Sequence, residues 1–159
     1  EAFRQQYIKD GMSDLEKEIR IIEWLVGNCS YEKGEDWSRG TAYSCIVLGK
    51  AQCSGYADAF LQTAKLCGLD VRYVYNERHA WNLVKLDGDW YHVDVTWEDP
   101  IGKQNYGFGN LSNRYINLTD DQIRAVEYHS TWETPELAAA GTKYGPEVVA
   151  ECLAKESRQ

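Results

Sequence analysis

The sequence contains no apolar run long enough to cross a lipid bilayer, and it carries no signal peptide. We therefore expect no membrane insertion. The chain begins at Glu1 rather than at methionine, which is typical of an excised domain or a processed product. Localisation stays open on these grounds, with an extracellular or cell-surface protein as one option.

Positive charge is scarce in this chain. Lys and Arg number 17 against 25 Asp and Glu, which gives a formal net charge of −8. Nucleic acids and anionic membranes both require a basic surface on their protein partners. We therefore expect neither as a partner, and the oligomeric state stays unknown.

Patterns typical of metal sites are missing as well. The sequence has no Cys-x-x-Cys pair, the usual half of a zinc site, and its acidic residues do not follow the spacing of an EF-hand calcium loop. We therefore expect no metal ion and no other cofactor.

Apolar residues, in contrast, are plentiful. The 159 residues are 43% hydrophobic and 13% aromatic, enough for a hydrophobic core. No internal repeat or second domain is visible, so we expect a single domain over residues 1–159.

Five apolar residues recur at spacings of three and four: Ala57, Phe60, Leu61, Ala64 and Cys67. This pattern, closed by Gly68, predicts an amphipathic helix over about residues 54–67. Cys53 then lies at its N-terminus, where unpaired N–H groups and the helix dipole favour the thiolate, the nucleophilic form. A lone cysteine is more often a small buried hydrophobe, so the choice depends on its partners.

Two candidate partners lie on a predicted β-hairpin. Alternating patterns predict strands over 71–75, 79–86 and 89–97, and Asp87-Gly88 is a strong two-residue turn signal. If Leu86 pairs with Asp89, counting back places His79 opposite Thr96, with Asp94 as its diagonal neighbour on the same face. Diagonal Cβ atoms lie roughly 7–8 Å apart, within reach of an imidazole–carboxylate hydrogen bond. Cys53, His79 and Asp94 thus form a candidate nucleophile, base and orienting group for acyl transfer.

Three strings carry a family resemblance: QCSGYA at 52–57, HAWN at 79–82 and WYHVDVTW at 90–97. They resemble the transglutaminase-like superfamily, in particular its bacterial members, most closely over about residues 40–100, the expected catalytic core. The resemblance implies the same catalytic Cys53, His79 and Asp94. It also implies an α+β, papain-like and transglutaminase-like fold, with the nucleophile helix packed on an antiparallel sheet.

The resemblance places a tyrosine such as Tyr43 near the active site, where its hydroxyl could help to form an oxyanion hole. A core tyrosine with a satisfied hydroxyl is an equal alternative. Tyr56, Trp81 and Trp97 are candidates for the walls of the site, although each could also belong to the core.

Capping boxes at Ser13–Glu16 and Thr119–Gln122 predict helices over 14–27 and just after Thr119, and a strand is expected over 114–118. Pro135 and Pro146 are typical of the first turns of two further helices. The glycine-rich segment from 98 to 113 is either a mobile border of the site or a solvated connection.

The remaining cysteines and histidines leave alternatives open. Cys29, Cys45, Cys67 and Cys152 are either four buried free thiols, the favoured interpretation, or disulfide partners in a pairing that the sequence does not select. His92 is expected to be a partly exposed strand residue, with contact to the site as the alternative. His129 has no assignable role.

These features together predict a cysteine enzyme, a thiol hydrolase or acyltransferase, that acts through a thioester on peptide, isopeptide or glutamine-type amide bonds of a protein or peptide substrate. Hydrolysis is favoured over cross-linking. The alternatives are a protein-glutamine amine transferase (transglutaminase) and a noncatalytic interaction module, a class that usually loses members of the triad.

Overall fold

The computed structural model describes residues 1–33, 37–99, 113–133 and 137–157. It contains six α-helices: α1 (Ala2–Tyr7), α2 (Asp14–Asn28), α3 (Cys53–Leu66), α4 (Val95–Glu98), α5 (Asp120–Arg124) and α6 (Pro146–Ser157). The strands in the same residues are β1 (Ser30–Tyr31), β2 (Lys50–Ala51), β3 (Asp70–Tyr75), β4 (Ala80–Leu86), β5 (Asp89–Val93) and β6 (Ile116–Leu118). A 3₁₀ turn (Trp37–Gly40) and a π-helical turn (Ser44–Leu48) precede β2.

Local sequence signals account for the helix starts. The Ser13 hydroxyl accepts the N–H of Glu16 at the start of α2, and Thr119 accepts the N–H of Gln122 at the start of α5, so both predicted capping boxes are confirmed. Pro146 opens α6, as predicted. Pro135, and most of the segment from 98 to 113, lie outside the described residues.

One antiparallel sheet forms the centre of the fold, in the order β3-β4-β5-β6. Asp87 and Gly88 both have positive φ, 50° and 86°, as a tight two-residue hairpin turn requires. Leu86 therefore pairs with Asp89. The predicted register of the hairpin is confirmed.

The predicted strand over 89–97 is wrong at its end. β5 stops at Val93, and residues 95–98 form the short helix α4. The Asp94 side chain accepts the N–H of Trp97, which turns the chain out of the sheet and into the helix. Hairpin pairing consequently ends before His79 and Thr96, which lie beyond the strands.

The sheet is covered on both faces. α2 and α3 pack on one face around a large apolar core that includes Ile19, Phe60 and Val84. A smaller apolar cluster on the other face joins Trp81 and Leu83 of β4 to residues near the C-terminus. β4 is therefore buried at every residue except Lys85, and it holds the start of α3 and the end of β5 in fixed positions.

All five cysteines are free thiols. Cys29, Cys45 and Cys67 are buried and Cys152 is half-buried, close to the favoured interpretation of four buried thiols. Among the helices of the described ranges, none combines the length and the apolar character that crossing a bilayer requires.

Candidate active site

Cys53 is the first residue of α3 and is partly exposed. Its thiol is hydrogen-bonded to the imidazole of His79 and to the backbone of Ala80. Burial raises the pKa of this thiol, but the hydrogen bond and the charge of His79 outweigh burial and bring the pKa below its usual value. The site therefore favours a thiolate.

His79 lies in the short connection between β3 and β4. The side-chain carbonyl of Asn76 accepts the N–H groups of Arg78 and His79, which fixes the backbone just before β4. Nε2 of His79 lies 2.6 Å from Oδ2 of Asp94, so Nδ1 is the nitrogen left to face Cys53. Burial lowers the pKa of His79, but the bonds and charges of Asp94 and Cys53 raise it to about 9. A thiolate–imidazolium pair is the state that these shifts favour.

Asp94 is fully buried at the end of β5. Its Oδ1 accepts the N–H of Trp97 at 3.1 Å, and its Oδ2 lies 2.6 Å from two imidazole nitrogens, Nε2 of His79 and Nε2 of His129. Burial raises the pKa of this carboxyl, whereas the bonds from His129 and His79 lower it more, and the pKa ends below its usual value. The expected contact between His79 and Asp94 is present.

His129 is the residue that sequence reasoning missed. It is fully buried just after α5, with Nε2 on Asp94 and Nδ1 2.7 Å from the carbonyl oxygen of Glu127. No helix, strand or turn pattern ties residue 129 to residue 94, 35 positions earlier. The available signals were its imidazole, in a chain with three histidines, and the resemblance of residues 115–129 to a segment seen after the core in bacterial transglutaminase-like proteins.

Two of the three candidate wall residues belong to the interior. Trp81 is 1% exposed and stacks behind His79, with ring centroids 5.9 Å apart and an interplanar angle of 21°. Tyr56 has no exposed surface, and its hydroxyl donates to Asp99 from within the core. Both residues support the site from behind rather than facing a substrate.

A cavity of about 560 Å³ opens over Cys53 and His79. Its walls include Trp97, as expected, together with several residues not singled out from sequence: Tyr31, Lys33, Arg78, Thr96, Asp99 and Tyr128. Tyr43 is 62% exposed and is not among these lining residues, which corrects its assignment to the site. Tyr31 and Tyr128 are the tyrosines among these lining residues, and the pKa of Tyr31 is raised by burial and by the charge of Cys53.

His92 is fully buried, so its expected surface position is wrong. Nδ1 of His92 accepts the indole N–H of Trp81 at 3.0 Å, and Nε2 lies 2.8 Å from Oδ1 of Asp120. His92 therefore reaches the site only indirectly, through Trp81.

His79, Asp94 and His129 present ligand atoms within 4.8 Å of one another, a set that could hold a metal ion. Two of the separations are 2.6 Å. Ligands of a tetrahedral zinc ion with bonds of 2.0–2.1 Å stand roughly 3.3 Å apart. The observed geometry is that of hydrogen bonds to a shared carboxylate oxygen.

The site and the fold together define a class: a thiol, an imidazole and a carboxylate bonded in series, on the helix and antiparallel sheet of papain-like folds. The family model described as the transglutaminase-like superfamily matches residues 1–95, more than half of the chain. The chain therefore belongs to the transglutaminase-like superfamily, as the sequence motifs indicated. The match includes Cys53, His79 and Asp94 and ends before His129.

Two curated relatives share this region. Kyphoscoliosis peptidase of Mus musculus is 27% identical over 133 residues, which cover 70% of this chain and 20% of the relative. The Homo sapiens protein of the same name is 26% identical over 110 residues, with 57% and 17% covered. The chain thus spans about a fifth of the length of these relatives.

Two solved structures share the fold. A candidate cysteine protease from Cytophaga hutchinsonii superposes with a TM-score of 0.52 at 20% identity, covering 60% of this chain and 35% of that one. A structure described as a TGase gives 0.50 at 15% identity, with 81% and 35% covered. Both likenesses confirm the predicted fold class.

Proposed function

We propose that this chain is a cysteine-dependent enzyme that cleaves peptide, isopeptide or glutamine-type amide bonds through a thioester. One observation carries the proposal: Cys53, His79 and Asp94 are hydrogen-bonded in series where Cys53 and His79 line an open cavity. A noncatalytic interaction module has no need of a partly exposed thiol with a lowered pKa.

The proposed reaction has two halves. The Cys53 thiolate attacks the amide carbon, and the negative oxygen that forms lies near the unpaired N–H groups of the first turn of α3. The imidazolium of His79 then gives its Nδ1 proton to the departing amine, and the C–N bond breaks to leave a thioester. Neutral His79 next takes a proton from water as the water oxygen attacks the thioester carbon. The C–S bond then breaks, which releases the acid and restores the Cys53 thiolate beside the imidazolium of His79.

Hydrolysis is favoured over amine transfer because the site is open to water. Cys53 is partly exposed and faces the cavity of about 560 Å³. Transfer to an amine requires an acceptor held against the thioester and water excluded from it. The peptidase name of the curated relatives supports the same choice, whereas the TGase neighbour keeps amine transfer as the alternative.

The test offers the chain glutamine-containing and lysine-branched peptides, with and without a labelled primary amine, and identifies products by mass spectrometry. We expect deamidated or cleaved peptide with little incorporated amine. Cys53→Ala should abolish the product with an unchanged melting temperature, because it removes the sulfur and little volume. Cys152→Ala, which removes the half-buried thiol on α6, is the matched control and should remain active.

Incorporation of the amine into most of the product would show that the reaction is transfer to an amine rather than hydrolysis. Equal turnover by Cys53→Ala and the unmodified chain would remove the thiol from the mechanism.

A further inference from the structure

Both ring nitrogens of His129 face oxygen atoms that can accept a hydrogen bond. Its Nδ1 lies 2.7 Å from the carbonyl oxygen of Glu127, which only accepts hydrogen bonds, so Nδ1 carries a proton. Its Nε2 lies 2.6 Å from Oδ2 of Asp94. A neutral His129 would have a bare Nε2, and the Asp94 carboxyl would then have to supply the proton between them.

The other contacts of Asp94 favour the ionised carboxylate. Oδ1 accepts the N–H of Trp97, and Oδ2 is shared with Nε2 of His79. A protonated Oδ2 could donate to only one of its two imidazoles, whereas an ionised oxygen accepts from both. Both ring nitrogens of His129 therefore carry protons.

His92 provides the contrast within the same chain. It is as buried as His129, but its Nδ1 faces the indole N–H of Trp81, a donor, and must be the bare nitrogen of a neutral ring. Burial lowers the pKa of His92 to about 4, consistent with that neutral ring. Both ring nitrogens of His129 face hydrogen-bond acceptors, whereas only Nε2 of His92 does.

The charges of Cys53, His79, Asp94 and His129 sum to zero when His129 is a cation. The thiolate of Cys53, the imidazolium of His79 and the carboxylate of Asp94 sum to one negative charge in a largely buried cluster. An uncompensated buried charge is strongly destabilising. The cation on His129 brings the sum to zero.

We propose that His129 is a positioning residue that acts as a counter-cation for the catalytic carboxylate, holding Asp94 in place and limiting the negative charge felt by Cys53 and His79. This proposal rests on the proposed function of the triad. Asp94 and His79 contact His129, and His92 lies beyond Trp81. The other charged or titratable groups that face Cys53 and His79 across the cavity are Tyr31, Lys33, Arg78, Asp99 and Tyr128. Throughout the two half-reactions the Asp94–His129 pair stays neutral, and protons move only between His79, the substrate and water.

The test compares two conservative variants by the pH dependence of Cys53 alkylation with iodoacetamide, read by peptide mass spectrometry. His129→Gln retains a donor near the Nε2 position without the charge, and His129→Asn retains a donor only near the Nδ1 position. Loss of a cation close to the site makes the thiolate less favourable, so the alkylation midpoint of His129→Gln should rise by about one pH unit. His129→Asn should show the same rise and a lower maximum rate, because Asp94 also loses its donor.

The control is Ile123→Val, which loosens the buried side of α5 without touching Asp94. It should lower the melting temperature and leave the alkylation midpoint unchanged. Midpoints of both His129 variants equal to that of the unmodified chain would reduce His129 to a structural residue.

The second readout needs no variant and no substrate. In the ¹⁵N-histidine spectrum of the unmodified chain at pH 6–8, His129 should show two protonated nitrogens and His92 one bare nitrogen. A bare nitrogen on His129 would overturn the proposal. Because alkylation and the spectrum require no turnover, a failure to detect hydrolysis would challenge the proposed function and leave this test intact.

Discussion

The carboxylate of Asp94 is bound through both of its oxygens, and the two sets of bonds serve different purposes. Oδ1 caps the first turn of α4 through the N–H of Trp97. Oδ2 receives the two imidazoles. The residue that orients His79 is thus also the residue that ends β5 and starts the next helix, so the position of the carboxylate is set by the backbone.

Asp94→Asn should lower kcat by up to about 10⁴-fold, the loss that the same change causes in a Ser-His-Asp enzyme. The amide N–H group would donate to Nε2 of His79, which moves the imidazole proton to Nδ1 and leaves no base facing Cys53. Asparagine keeps the helix cap, but it leaves the cation on His129 without its carboxylate, so the melting temperature should fall as well. Steady-state kinetics and thermal melting measure the two effects. An unchanged kcat would make Asp94 purely structural.

At this scale the sequence singled out Cys53, His79 and Asp94 as candidates, which the structure brings together, and gave no role to His129, which lies in the same cluster. A helix start places Cys53, and the hairpin register brings His79 close to Asp94 although the pairing itself ends at Asn82 and Val93. His129 reaches Asp94 through a turn after α5 whose path depends on packing against Trp81 and Trp97. A contact of that kind leaves no periodic pattern in the sequence from which it could be predicted.

At the scale of elements, the first turn of α3 is packed tightly against the segment that precedes it. A Cβ built on Gly55 would lie 2.6 Å from the carbonyl oxygen of Arg39 and 2.7 Å from Cβ of Ala51. The glycine allows the helix to approach the segment before it, and the approach determines where Cys53 stands.

Gly55→Ala should destabilise the fold by about 1–3 kcal/mol, the usual cost of overpacking, despite the higher helix propensity of alanine. It should also slow Cys53 alkylation at neutral pH, because α3 must move away from His79. Lys65→Ala, on the exposed face of the same helix, is the control and should be nearly neutral in both measurements. Denaturant unfolding and alkylation rates test this, and a stabilised, fully reactive Gly55→Ala would contradict it.

The hairpin shows how far element-level prediction extends. The turn residues fixed the register from Leu86 to Asn82, because each step of pairing follows from the one before. The same logic wrongly continued the strand to Trp97. The end of β5 depends on the side chain of Asp94 capping α4, an interaction that alternating apolar residues do not reveal.

For the whole molecule, a buried carboxyl joins α2 to the last strand of the sheet. Glu18 is fully buried and accepts the side-chain N–H of Asn117 at 3.0 Å. Burial raises the pKa of Glu18 to about 8, with the bond from Asn117 acting in the opposite direction. At neutral pH the folded chain therefore holds a proton that the unfolded chain releases.

The direction in which pH changes the stability follows from the difference in proton binding between the folded and unfolded states. Between the ordinary glutamate pKa of 4.5 and about 8, the folded state binds more protons than the unfolded state, so stability falls as pH rises, by up to about 1.4 kcal/mol per unit. Below this window the penalty is absent, and above it the penalty is complete. Glu18→Gln should remove this slope and stabilise the chain at pH 8.

Urea unfolding of the unmodified chain and Glu18→Gln at pH 5, 6, 7 and 8 measures the difference. Glu151→Gln, on the exposed side of α6, controls for the loss of one negative charge and should run parallel to the unmodified chain. A Glu18→Gln curve that is also parallel would show that Glu18 ionises normally.

The layered arrangement explains why Tyr56 and Trp81 could be either wall or core from the sequence. In a sheet with one solvated face, alternation separates inside from outside. Here β4 is buried on both faces, by α3 on one and by the smaller apolar cluster on the other. The alternation of residues along such a strand shows on which face of the sheet a side chain lies. It does not show whether that side chain contacts a substrate.

The indoles around the imidazoles have an optical consequence. The ring centroids of Trp81 and Trp97 lie 4.6 and 4.9 Å from that of His129, and 5.9 and 5.8 Å from that of His79. A protonated imidazole close to an indole quenches its fluorescence, whereas a neutral imidazole does so far less. The tryptophan fluorescence of the unlabelled chain therefore depends on whether His79 and His129 are charged, including while a substrate is bound in the cavity.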